Sequence, residues 1–284
     1  MNLIEPDPDN EDPASPSETR QIYLDRTKSG YTKLRHSFVQ TRVDTSHSSR
    51  PGTLAKLTRN HRATVLYLAL LANWPWLSRE DAPISASAWI RFLTSDEENA
   101  LTWNPQSLSN AWRTLKALDL VELPRQGRLI RVTPQSEAGA GPYKAPTGKG
   151  ADSYLVVPHE LWTKELYATL SWPALAALLI LLKETGSTPT TTLKIDQAQA
   201  WYGISRTTTE KGLAELRAKN LLSSRDRWIK DADAPEGRRF ASEHTLLGDF
   251  STERREALRE AAKKRVRPAP PSSAQNKAAT RPPA

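Results

Sequence analysis

Ile204-Ser-Arg-Thr-Thr-Thr-Glu-Lys-Gly-Leu-Ala-Glu-Leu-Arg-Ala-Lys-Asn-Leu-Leu222 carries the pattern from which the rest of the chain is read. Ser205 is a strong N-cap, because its hydroxyl accepts from the free N–H groups of a first helical turn. Thr209, Gly212, Leu213 and Leu216 then recur at helical spacing and form a side that seeks a core. Asn220 stands where a helix commonly ends in a left-handed residue, a place Asn fills when Gly does not. The opposite side carries Arg206, Thr207, Thr208, Lys211 and Arg217. These cations and hydroxyls are the groups that meet phosphate oxygens and base edges. A merely solvated polar face has the same pattern, so the surroundings decide between the two.

The design recurs 101 positions earlier, in Asn104-Pro-Gln-Ser-Leu-Ser-Asn-Ala-Trp-Arg-Thr-Leu-Lys-Ala-Leu-Asp-Leu-Val121. Asn104 takes the place of Ser205, and Pro105 occupies the first turn, where a missing N–H costs nothing. Leu108, Ala111, Trp112 and Leu115 replace the four core positions. The outward set becomes Gln106, Ser107, Asn110 and Arg113, with Pro105 standing where Arg206 stands in the later copy. Caps, core positions and exits agree together, which is the mark of two units built to one plan.

Each copy runs into β-prone sequence. Val121 to Val132 holds two short runs around a turn at Gly127, with Arg125, Arg128 and Arg131 on or near its tip. The later hairpin is longer: Leu221 to Ile229, a loop with Pro235 and Gly237, then a return from Arg238 through Leu246, carrying Arg225, Arg227, Arg238 and Arg239. Each copy is also preceded by helical sequence. Arg62 to Trp74 reads as a buried helix stopped by Pro75, Ile84 as a short strand residue, and Ser85 or Ser87 as the cap of a second helix through Leu93. In the later unit, Tyr154 to Trp162 is an extended entry leading into a short helix around 159–168. Ser171 caps a helix over 172–184, Thr190 to Ile195 is a strand, and Asp196 caps a brief helix to Tyr202. The expected fold is mainly α with small β wings, an α+β chain of two such units.

Composition sets the boundaries. Residues 1–30 hold seven acids against three bases among prolines and serines and read as a disordered acidic arm. Residues 31–53 read as a basic arm or linker, 54–133 as the first domain and 134–152 as a Gly/Pro linker. The second domain is 153–250, followed by a basic helix and disordered tail over 251–284. A net charge of +8 favours a polyanionic partner, and it persists in the middle of the chain when the two ends are set aside. With no cysteine, disulfide and thiolate chemistry are excluded. The start is too acidic for a signal peptide, and Leu175 to Leu182 is under half a membrane span, so a cytoplasmic chain without membrane contact is expected. Thr147-Gly-Lys-Gly150 fails as a phosphate loop: Tyr143 stands at the first glycine position and Gly150 where a hydroxyl should bind magnesium. The five histidines are scattered and no nucleophile–base motif appears, so no enzyme, cofactor or metal is expected. Nine tryptophans, among them Trp74, Trp76, Trp103 and Trp162 beside helices, are either core residues or interface anchors.

The two capped cationic helices, each followed by a basic hairpin, resemble the recognition helix and wing of winged helix-turn-helix proteins. Ile204 to Leu213 is similar to bacterial transcription regulators of that fold. The stretch from Tyr154 to Trp162, with Tyr167 to Ala176, resembles the N-terminal winged helix of some plasmid replication initiators. The resemblance implies double-stranded DNA as partner, read from the N-terminal half of the second helix in the major groove, with wings over the phosphate backbone or minor groove. It places Arg206, Thr207, Thr208 and Lys211 on bases in one unit and Gln106, Ser107 and Asn110 in the other. A transcription regulator associated with the nucleoid is the leading expectation, with a homodimer in view. An initiator binding origin repeats and a winged-helix protein-interaction module in a chromosome-associated assembly are the alternatives.

Overall fold

A computed structural model describes residues 12–42, 49–81, 83–126, 129–139, 141–193 and 195–266. The first described element is α1 (Pro16–Asp25), where Ser15 accepts from Glu18 N and the Glu18 carboxylate accepts from Ser15 N, a closed capping box with Pro16 in the first turn. The acidic arm is therefore ordered over much of its length, against the expectation of disorder across 1–30. Arg20 supplies the reason. Its side chain is buried, pairs with Glu165 and donates to Thr94 O and to Tyr167 Oη. Residues 1–11 lie outside the described residues.

The presumed linker at 31–53 is also core. β1 (Tyr31–Arg35) leads into α2 (His36–Val39), then β2 (Gln40–Arg42), which pairs antiparallel with β3 (Ser49–Pro51) ahead of α3 (Thr53–Lys56). Tyr31, Leu34, Phe38 and Val39 are buried, as is Leu54 just beyond, so these apolar residues belong to the packed interior, while Val43 lies outside the described residues. α4 (His61–Glu80) continues past Pro75 rather than stopping there. A proline frees one carbonyl in the preceding turn, but Trp76 and Leu77 beyond it are buried and hold the last turn in place. α5 (Ala86–Leu93) is capped by Ser85, and Ile84 lies in no strand. α6 (Pro105–Ala117) follows, then β4 (Val121–Glu122), β5 (Arg125–Gln126), β6 (Leu129–Ile130) and β7 (Thr133–Pro134). β4 pairs with β7 and β5 with β6, making one interrupted hairpin.

The segment 134–152 is docked rather than free. Glu137 is fully buried beneath Arg35, which pairs with it and, at 2.7 Å, with Asp152, and Thr53 Oγ1 donates to Glu137 O at 2.6 Å. β8 (Tyr154–Pro158) then pairs antiparallel with β1, Tyr31 opposite Pro158 and Arg35 opposite Tyr154. The short helices α7 (Glu160–Thr163) and α8 (Leu166–Thr169) precede α9 (Trp172–Glu184), capped by Ser171 as its sequence requires. β9 (Thr190–Thr192), α10 (Ala198–Tyr202), α11 (Arg206–Ala218), β10 (Leu222–Lys230) and β11 (Arg238–Leu246) complete the later unit, with α12 (Thr252–Val266) beyond it. Gln197, not Asp196, takes the cap position of α10. The three strands form a sheet in the order β10-β11-β9.

The two sequence units share one continuous apolar core, which runs from Leu24 to Phe250. Phe92 and Trp162 lie 5.5 Å apart, Trp172 Nε1 donates to Thr64 Oγ1 at 3.1 Å, and Leu101 N donates to Ala168 O at 2.9 Å. Gly203, in the turn between α10 and α11, sits so close to α3 that a side chain would lie 2.5 Å from Ala55 Cβ. Its φ of +67° makes glycine the fitting residue there twice over. Trp76, Trp103 and Trp162 are core residues rather than interface anchors. Among the described residues, no helix is long and apolar enough to cross a membrane.

Candidate nucleic-acid interface

α11 is held from beneath and from its start. Thr209, Gly212, Leu213 and Leu216 are all buried, as their spacing requires, and Asn220 closes the helix at φ 55°. Ser205 Oγ accepts from Thr208 N at 3.3 Å. The equivalent four residues of α6 are buried too, and Asp119 repeats the left-handed exit at φ 55°. Asn104 Oδ1 accepts from Ser107 N at 2.8 Å while Ser107 Oγ accepts from Asn104 N at 2.9 Å.

What remains outside on α11 is Arg206, Thr207, Lys211 and Arg217, all exposed, with Thr208 half-buried. Its two acids are drawn off this face to different degrees. Glu215 turns to the N-terminus of α9, accepting from Ser171 N at 2.8 Å and from the Ser171 hydroxyl. Glu210 stays beside Arg206, 2.9 Å from its Nε. Lys211 has no carboxylate partner among the described residues. Arg217 reaches Ser224 Oγ at 3.4 Å, and Ser224 Oγ lies 2.9 Å from His244 Nδ1. Burial first, and then the neighbouring Arg217, lower the pKa of the His244 imidazole and so favour its neutral form.

On α6 the outward residues form a hydrogen-bonded row. Gln106 Nε2 donates to Asn110 Oδ1 at 3.0 Å, and Arg113 Nη1 donates to the same oxygen at 3.1 Å. Gln106, Asn110 and Arg113 are exposed and Ser107 is half-buried. Amide and guanidinium groups preset in one row suit readout of base edges, which present paired donors and acceptors.

The hairpins are less cationic than their arginines suggest. Arg131 pairs with Asp81, Arg227 with Glu243 at 2.6 Å, Arg239 with Asp231 at 2.8 Å and Arg238 with Glu236 at 3.6 Å. Arg225 is exposed, and Arg128 lies outside the described residues. Between 222 and 246 the chain carries five bases and five acids, so the later hairpin adds no net charge. Such surface pairs are worth little and exchange readily for phosphate partners, yet the electrostatic weight falls on α11.

Two residues escaped the sequence reading. Trp228 and Phe240 face each other across β10 and β11, ring centroids 5.5 Å apart, and are 55% and 59% exposed. Arg238 lies over the Trp228 ring at 4.7 Å. Strand alternation puts them on the same face as the buried Leu222 and Leu246. Only the length of the hairpin carries them clear of the core, and spacing within a strand gives no sign of that. Among the described residues no cluster of His, Asp and Glu is arranged to hold a metal. No known protein family, characterised protein or solved structure matches this chain at a significant level.

Proposed function

We propose that this chain is a sequence-reading double-stranded DNA-binding protein, with α11 as its principal reading helix and α6 as a second. The observation that carries this reading is the division of α11: one side fully committed to the core, the other presenting Arg206, Thr207 and Lys211 from a capped N-terminal half. The order helix, strand, helix, helix, hairpin from α9 to β11, with β9 at the sheet edge beside β11, supports a winged-helix unit. From α4 to β7 the order repeats without the first strand, which supports a second, reduced unit. Because the units share one core, their half-sites should have a fixed separation rather than the variable one a flexible linker allows. The biological role we assign is transcription regulation, on the similarity of Ile204 to Leu213 to regulators of this class.

Arg206→Ala is expected to weaken binding to the preferred duplex by about 1–3 kcal/mol, and to unrelated duplexes by much less, if the guanidinium reads a base. Equal loss on every sequence assigns it to phosphate instead. Titration of both duplexes by fluorescence anisotropy separates these outcomes. Full affinity in the double variant Arg206→Ala, Lys211→Ala would remove α11 from the interface. The exposed Trp228 and Phe240, with Arg238 stacked on the first, favour a second role for the later hairpin as a protein contact, since Trp and Arg dominate interface energetics.

A further inference from the structure

A groove of about 810 Å³ opens between the Gly148–Gly150 loop, the C-terminal end of α9 and the side of α12 that carries Arg259 and Lys263. Among the described residues Lys183, Arg259 and Lys263 line it. Arg255, Arg259 and Lys263 recur every fourth residue on one stripe of α12. Arg255 is the anchor, buried in the end of α9, and its successors are carried to the groove wall. Among the described residues Glu184 is the one acid in the lining, and it already holds Lys183 at 2.5 Å and accepts from Tyr202 Oη at 2.8 Å. Lys263 is paired at 2.6 Å with Glu260, an exposed contact that a stronger anion displaces readily. Arg259 lies 5.7 Å from the centre of the Tyr154 ring and has no carboxylate partner among the described residues. The rest of the lining is rich in small, hydroxyl and amide residues, and Gly148 and Gly150, having no side chains, present backbone to the groove.

We propose that this groove binds a phosphate-bearing ligand through Arg259, Lys263 and Lys183. An excess of cations over acids, glycine backbone at the wall and room for a nucleotide-sized molecule are what multiple phosphate oxygens require. A ligand-loaded Lys183 leaves Glu184, which also holds Tyr202 of α10, the helix leading into α11. Any consequence of that link for DNA rests on the reading proposed above; phosphate binding itself does not.

The chemistry has two sources, a free polyphosphate compound or the backbone of bound DNA, and calorimetric titration of the full chain distinguishes them. The probes are inorganic tripolyphosphate, ATP without added metal, and a duplex. Tripolyphosphate or ATP is expected to bind saturably, with at least a ten-fold loss in Arg259→Gln and in Lys263→Gln and no change in Arg206→Ala. Lys230→Gln removes the same charge from the distant hairpin and should leave this binding intact. If Arg259→Gln instead weakens the duplex while neither small probe binds, the groove holds DNA phosphates. Failure of all three probes to depend on Arg259, or equal loss in Lys230→Gln, would overturn the site. Because tripolyphosphate binding needs no DNA, the groove and the DNA reading fail separately.

Discussion

Gly212→Ala is expected to destabilise the protein by roughly 3 kcal/mol, the upper range for forcing an extra carbon into a packed interior. On an exposed helix the same change stabilises, because alanine has the better helix propensity by about 1 kcal/mol. Here the added carbon would sit 2.2 Å from Pro173 O and 2.9 Å from Ala177 Cβ. Both neighbours belong to α9, and the nearer is backbone, so neither moves without parting α9 from α11. The clash decides the sign. Urea unfolding should show a lowered midpoint with an unchanged slope, and an equal or higher midpoint would mean that α11 does not rest on α9. Since α11 is the proposed reading helix, the variant should also lose DNA affinity in proportion to its unfolding.

Arg255→Met should cost a similar amount, about 3 kcal/mol, because the charged donor leaves several buried acceptors without partners. Arg255 is 1% exposed, and its guanidinium donates to Phe250 O at 3.0 Å, Leu182 O at 3.1 Å, Thr185 O at 2.9 Å and Thr252 Oγ1 at 2.9 Å. Leu182 and Thr185 carbonyls belong to the end of α9, where helical carbonyls have no partner of their own. Burial, with Arg259 nearby, pushes the Arg255 pKa down to about 10, still fully charged at neutral pH. Met keeps most of the volume and removes the donors together with their charge. Limited proteolysis should then cut within α12, which is otherwise held down by Arg255 and by Leu258 against Tyr31 and Val156. Unchanged stability and an uncut α12 would show that the helix does not depend on this anchor.

The elements that were legible in the sequence are those decided by neighbours along the chain. Ser205, Asn104, Ser85 and Ser171 cap helices because a cap is a contact three residues long, and all eight inward positions of α6 and α11 are buried because helical spacing fixes a side. The boundaries were not legible. Arg20 is stabilised by Glu165, and Arg35 by Glu137, partners more than a hundred residues away. Composition averages over a segment and cannot register one such pair, so an ordered helix read as an acidic arm and a core strand as a linker. The same holds at the proposed interface. Helical spacing located the outward residues of α11, but nothing local told that Glu215 leaves that face for Ser171, or that most of the hairpin arginines with described side chains are already paired.

The central claim is that this chain reads duplex DNA by sequence. Selection of bound duplexes from a randomised pool by the full-length protein, at two salt concentrations, tests it most directly. A defined motif is expected at both salts, with half-sites at one fixed separation. Enrichment of no sequence, with binding that vanishes at the higher salt, would contradict it and leave charge alone as the attraction.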